Sequence, residues 1–206
     1  MRKAIKKLKS KPPPGRPRAF DPEAALDHAL HVFWKKGYEG ASLADLTRAM
    51  RINRPSLYAA FGNKEALFLK ALDRYANGPV SFMRDALAEP TARAVAERLF
   101  RAATELLTDK CHPTGCLMVQ GALACGEAAD PIRRELISRR VAGECDLRKR
   151  FDRAKSEGDL PADSDSSDLA RYVVTVLHGM SVQAAGGAGR EELQRVAELA
   201  LRNWPD

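Results

Sequence analysis

Aromatic residues make up only 6% of this 206-residue chain, and there are just four cysteines. Cys111, Cys116, Cys125 and Cys145 stand singly, with no CxxC pair, which excludes a disulfide scaffold and matches no standard zinc spacing. No run of about 18 apolar residues occurs, so no transmembrane span is expected. The opening MRKAIKKLKS is basic but lacks an apolar segment, so it does not read as a secretory signal, and the chain is expected to be cytoplasmic. Phosphate loops, GxSxG, HExxH and a convincing carboxylate pair are all missing, which argues against an enzyme. No cofactor or metal is expected. Strand signals and internal repeats are also missing.

Enough apolar material is present for a core, at 45% of residues with 30% charged, and frequent Ala and Leu favour helices. The net charge of +7 is unevenly placed. Residues 1–76 carry 16 Lys and Arg against 7 Asp and Glu, a balance of +9, whereas residues 77–206 carry 18 against 20, a balance of −2. Residues 1–18 hold eight basic residues and no acid. Such an arm beside a near-neutral body suits nucleic-acid binding; a solvated basic tail is the plainer reading.

Helix signals organise the rest. Pro12, Pro13, Pro14 and Pro17 forbid a regular helix in the arm. Asp21-Pro22-Glu23 then supplies three helix-start signals, and Ala25, Leu26, Ala29, Leu30, Phe33 and Trp34 follow at helical spacing up to a stop at Gly37. Ser42 and Asp45 resemble a capping box for a short helix through Met50. Pro55 starts the next, with Leu57, Tyr58 and Phe61 expected inward, and a longer helix begins at Lys64. Short helices joined by a tight turn at residues 51–54 describe a helix-turn-helix unit whose last helix suits a major groove. Beyond residue 78 the pattern stays helical. The segment 169–185 is apolar nearly all round and must be covered, either inside one chain or by a second copy through the 190–204 helix.

The run from Gly37 to Leu46 (GYEGASLADL) and that from Arg54 to Leu67 (RPSLYAAFGNKEAL) resemble the N-terminal domain of TetR-family transcriptional repressors over about residues 19–70. The resemblance implies an all-α protein: an N-terminal three-helix helix-turn-helix DNA-binding domain followed by a C-terminal helical ligand-binding and dimerisation core. The expected division is a flexible arm at 1–18, a DNA-binding domain at 19–65 and a helical domain at 66–206. It further implies a homodimer, joined through helices near 166–185 and 190–204, that binds a palindromic operator in double-stranded DNA and releases it when a small-molecule inducer enters the core. By motif, Ser42, Ser56, Tyr58 and Lys64 resemble phosphate ligands, chemically apt because hydroxyls and ammonium groups position a duplex without reading it. Arg54 is the candidate for base contact, since a guanidinium pairs bidentately with guanine, and Pro55 offers an apolar contact. Arg51 departs from the family, which usually has glycine there; a side chain at that turn implies strain or altered geometry, and its charge would fall near a phosphate.

Pro14-Gly15-Arg16-Pro17-Arg18 resembles the core of an AT-hook. Arg16 and Arg18 would then enter a narrow A·T minor groove, or else touch phosphates nonspecifically.

Cys116 follows Pro113-Thr114-Gly115 and is expected in the first turn of a helix, where the dipole favours a reactive thiolate. Cys111 or Cys125 is the candidate resolving partner; Cys116 and Cys125 also suit plain apolar packing. The run GCLMV from Gly115 resembles a branch of the TetR family in which some members respond to electrophiles or metals. His178, within the apolar segment, either satisfies a core hydrogen bond or lines an inducer pocket. The functional expectation is a ligand-responsive repressor, inducible by a small molecule or thiol-reactive compound. The alternative is an architectural or activating DNA-binding protein without a ligand switch.

Overall fold

The computed structural model describes residues 20–205 apart from 124–128. The arm with Arg16 and Arg18, and Cys125, lie outside the described residues. Among the described residues all regular elements are helices. Helix α1 (Pro22–Gly40) opens as its sequence dictates: the Asp21 carboxylate accepts the Glu23 amide at 2.9 Å and Pro22 occupies the first turn. Gly37 breaks the helix where expected, with φ 69° and ψ 177°, but one further turn resumes beyond this kink and carries the element to Gly40.

Helix α2 (Leu43–Met50) begins with the full reciprocal box, Ser42 capping the Asp45 amide and Asp45 returning to the Ser42 amide. Helix α3 (Arg54–Phe61) and helix α4 (Lys64–Asn77) are each capped by an asparagine, Asn53 accepting from Ser56 at 2.8 Å and Asn63 from Ala66 at 2.7 Å. Leu67, Phe68, Ala71, Leu72 and Tyr75 of α4 share one apolar cluster with Phe33 and Trp34 of α1. That cluster also takes in Leu46 of α2 and Leu57 of α3.

A short helix α5 (Phe82–Asp85) and a 3₁₀ turn (Ala86–Ala88) lead to α6 (Ala92–Leu107), α7 (Leu117–Leu123), α8 (Asp130–Ser156), α9 (Ser166–Ala185) and α10 (Arg190–Arg202). A second cluster joins α6, α8, α9 and α10 around Phe100, Phe151, Val173 and Trp204. The two cores are not isolated. Leu117 of α7, with Ile132 and Leu136 of α8, is buried in the first cluster, below α1 and α4. Helix α9 is not covered on all sides: Val182 is 50% exposed, and on α10 Leu199 is 58% exposed.

Candidate DNA interface and ligand cavity

Residues expected to meet DNA gather on and around α2 and α3, where Ser42, Arg51, Arg54, Pro55 and Tyr58 are exposed and Ser56 and Lys64 half-buried. Tyr58 corrects the expectation of an inward ring. Leu57 and Phe61, four residues apart, take the core side of α3, and Tyr58 lies about 100° further round. Its ring is 47% exposed and free to meet a ligand.

Arg51 closes α2 in the left-handed region, φ 55° and ψ 38°, the position glycine serves without a Cβ penalty. Ser42 is less available than a surface hydroxyl. Its oxygen accepts the Asp45 amide while its proton goes to Asp45 Oδ2 at 2.7 Å. Lys36 also reaches that carboxylate at 2.9 Å. The Lys36 bond first, then the Ser42 hydroxyl, lowers the Asp45 pKa to about 2. The Lys64 ammonium stands 4.5 Å over the Tyr38 ring, which itself packs edge-on to Phe68. Burial lowers the Lys64 pKa, against the pull of Glu39.

Helix α4 joins this surface to the body through adjacent residues. Arg74 turns to α1, bonding Asp27 at 2.7 and 2.8 Å and Glu23 at 2.8 Å. Asp73 turns to α8, receiving Arg139 at 2.7 Å.

Below α4 lies a cavity of about 340 Å³, walled by α4, α6, α8, α9 and the segment entering α7. Its walls are mostly apolar, with Leu99, Leu107, Leu147, Val174 and Leu177 among them. Gly143 explains part of the space. It occupies the inward stripe of α8 between Leu136 and Leu147, and a Cβ there would meet nothing within 4 Å.

Cys116 and His178 both line this cavity. Cys116 falls one residue earlier than expected, immediately before α7, where its carbonyl accepts the amides of Val119 and Gln120. Its sulfur accepts the Tyr75 hydroxyl at 3.4 Å. Burial first, then the neighbouring Cys116, pushes the Tyr75 pKa well up. His178 is held below the ordinary imidazole pKa by burial and then by Arg140, with Glu144 opposing. One residue before Cys116, the Gly115 carbonyl accepts the Trp34 indole N–H at 2.9 Å. His112 of the same loop stacks on Trp34, ring centres 5.3 Å apart.

Trp34, Tyr38, Tyr75 and Arg140 join the candidate site only in the fold. Arg140 carried a usable signal, a charge at helical spacing between Leu136 and Leu147 on a stripe that should be apolar. The three aromatic residues look like ordinary core in the sequence, and only their polar atoms or faces in the fold distinguish them.

Residues 25–71 match the profile of the bacterial regulatory proteins, tetR family. Over 194 residues the chain is 36% identical to the HTH-type transcriptional repressor ComR of Escherichia coli (strain K12), covering 93% of this chain and 92% of ComR. The chain belongs to the TetR family. It is a DNA-binding transcriptional regulator and not an enzyme. Among solved structures it resembles a three-cysteine mutant of the TetR family regulator CifR complexed with 26-bp double-strand operator DNA. That likeness has 46% identity and a TM-score of 0.89, covering 93% of this chain and 100% of the other. A TetR regulator from Rhodococcus sp. RHA1 is 43% identical, with a TM-score of 0.61, over 90% of this chain and 100% of its own. Membership carries the all-α, helix-turn-helix fold expected from the motif. No helix among the described residues is long and apolar enough to cross a membrane.

Proposed function

We propose that this regulator is a homodimeric repressor that binds a palindromic operator and leaves it when a small molecule or thiol-reactive compound occupies the cavity. The observation that carries the reading is the bonded path from cavity to DNA-binding unit. Cys116 and Tyr75 meet on the cavity wall, and the adjacent Gly115 holds Trp34 of α1. A ligand that separates Cys116 from Tyr75 acts on α4 and α1 together. Any release must arise from a difference in ligand affinity between two arrangements of the dimer.

On the DNA side, Ser56, Tyr58, Lys64 and Arg51 would hold phosphates, Arg54 would read a base edge, and Pro55 would pack against it. Ser42 would contribute after its proton turns from Asp45. Arg16 and Arg18 would extend the contact along the minor groove. The operator complex of the similar CifR mutant supports this reading. Dimerisation through α9 and α10 is supported by the apolar side chains these helices leave exposed, Tyr172, Val182, Val196 and Leu199. An open apolar cavity also weighs against an architectural protein without a switch.

The test is selection of genomic fragments by the purified full chain, followed by treatment of the complexes with N-ethylmaleimide. A shared palindrome, released by the reagent from the wild type but not from Cys116→Ser, is expected. Fragments with no common motif would overturn the operator reading. Equal release from Cys116→Ser would exclude Cys116 as the reacting thiol.

A further inference from the structure

The cavity's charges do not balance, and the imbalance says what it holds. Five charged side chains reach its wall: Arg84, Arg139, Arg140, Glu144 and Asp146. Both carboxylates are already engaged, Glu144 by Arg171 at 3.1 Å and Asp146 by Lys149 at 3.4 Å. Arg139 is likewise held, by Asp73 and Glu135 at 2.7 Å each. Arg84 donates only to the neutral Asn77 amide oxygen, at 3.4 Å. Arg140 has no ion pair or hydrogen bond among the described residues, and its Nε is buried without a partner.

Polar groups without partners accumulate beside that guanidinium. Ser181 of α9 is 3% exposed, lines the cavity, and leaves its hydroxyl unbonded. His178, one turn earlier on α9, feels the Arg140 charge directly. Its imidazole is kept neutral by burial and by that charge, so it can offer one N–H donor. Buried polar groups are ordinarily satisfied, and a cation against an apolar wall is costly unless a counter-charge meets it. The remaining wall is aliphatic, including Leu99, Leu107, Leu147 and Leu177.

We propose that the cavity takes an organic acid: a carboxylate head held by Arg140 beside His178 and Ser181, and an apolar body lying along the aliphatic wall. The acid is the inducer if the reading above is right, and the proposal rests on that reading only for its regulatory consequence. A neutral ligand of the same shape leaves Arg140 unpaired, and a cationic one faces both Arg84 and Arg140. A charge-assisted, two-toothed guanidinium contact separates acid from alcohol by about tenfold or more.

The experiment is calorimetric titration of the full chain with decanoate, decanol and decylamine, each below its aggregation concentration. Operator affinity is measured in parallel. Decanoate is expected to bind about tenfold more tightly than decanol, with decylamine weakest. Arg140→Gln should bring decanoate to within about twofold of decanol, and Arg140→Lys should restore part of the preference. Retained decanol binding in Arg140→Gln shows that the cavity still forms. Equal binding of decanoate and decanol by the wild type would overturn the acid while leaving a cavity for neutral inducers. A preference that survives Arg140→Gln would overturn the assigned head site. Failure of all three probes to bind would overturn the proposal outright. Selective decanoate binding with unchanged operator affinity would uphold the acid site and refute its role in induction.

Discussion

Trp34 donates its indole N–H to the Gly115 carbonyl at 2.9 Å, tying the first helix of the DNA-binding unit to the loop that ends at the cavity. The bond is buried and spans 81 residues of sequence. Trp34→Phe keeps an aromatic ring against Tyr75 but strands that carbonyl. The expected cost is about 2 kcal/mol by chemical denaturation. Operator binding should persist while its response to cavity ligands weakens, which a titration of the complex with inducer would reveal.

Arg54 and Lys64 should fail differently. Lys64→Gln is expected to weaken binding to all DNA sequences alike and to lower the salt slope of log affinity by about one. Arg54→Gln should cost about 1–3 kcal/mol on the operator and relax the preference at one base pair. Binding to an operator and to its single-base variants at several salt concentrations separates the two.

Arg51 is held at φ 55°, so Arg51→Gly removes a strained contact at α2's end. Glycine's extra freedom in the unfolded chain offsets part of the gain, leaving about 0.5–1 kcal/mol of added stability. Operator affinity should nevertheless fall, because a charge beside the reading helix is lost. Paired melting and DNA-binding measurements would show the opposite signs.

Gly143→Leu should narrow the cavity from α8, its side chain leaning toward Arg139 and Arg140 one turn earlier. A Cβ at that position meets nothing within 4 Å, and replacing a helical glycine adds about 1 kcal/mol. The variant should melt higher and bind operator normally, yet no longer release it on ligand addition.

His178 supplies a pH dependence. Its pKa is below 6.5 in the folded chain, through burial first and then Arg140, with Glu144 opposing. Below pH 6.5 the unfolded chain therefore takes up the proton first, and acidification favours unfolding. The stability from the neutral imidazole is complete above pH 6.5 and declines as pH falls toward the folded value. Denaturation of wild type and His178→Gln between pH 7.5 and 5 should show a shallower decline for the variant.

The elements of the DNA-binding unit were legible because their signals are local. Asp21-Pro22, the Ser42 and Asp45 pair, and the glycine at 37 act within a few residues of themselves. Tyr58 was misplaced because aromatic character alone does not say which side of an eight-residue helix faces the core. Only the positions of Leu57 and Phe61 settle it. Cys116 and His178 were singled out for their chemistry, and the fold brings both to one cavity. The cavity itself was not legible, since a void is defined by what several distant helices leave unfilled. Beyond the ligand-binding core that the resemblance implied, Gly143 and Arg140 between Leu136 and Leu147 were its trace in the sequence.

The neighbouring tethers on α4 bear on how DNA binding is measured. The Arg74 pairs with Asp27 and Glu23, and the Asp73 pair with Arg139, involve half-exposed or exposed groups that dissolved ions reach. Raising salt thus weakens these internal pairs at the same time as it lowers the gain from counterion release when DNA is bound. A plot of affinity against ionic strength counts both, and phosphate contacts deduced from it will be overcounted unless Arg74→Gln is titrated alongside.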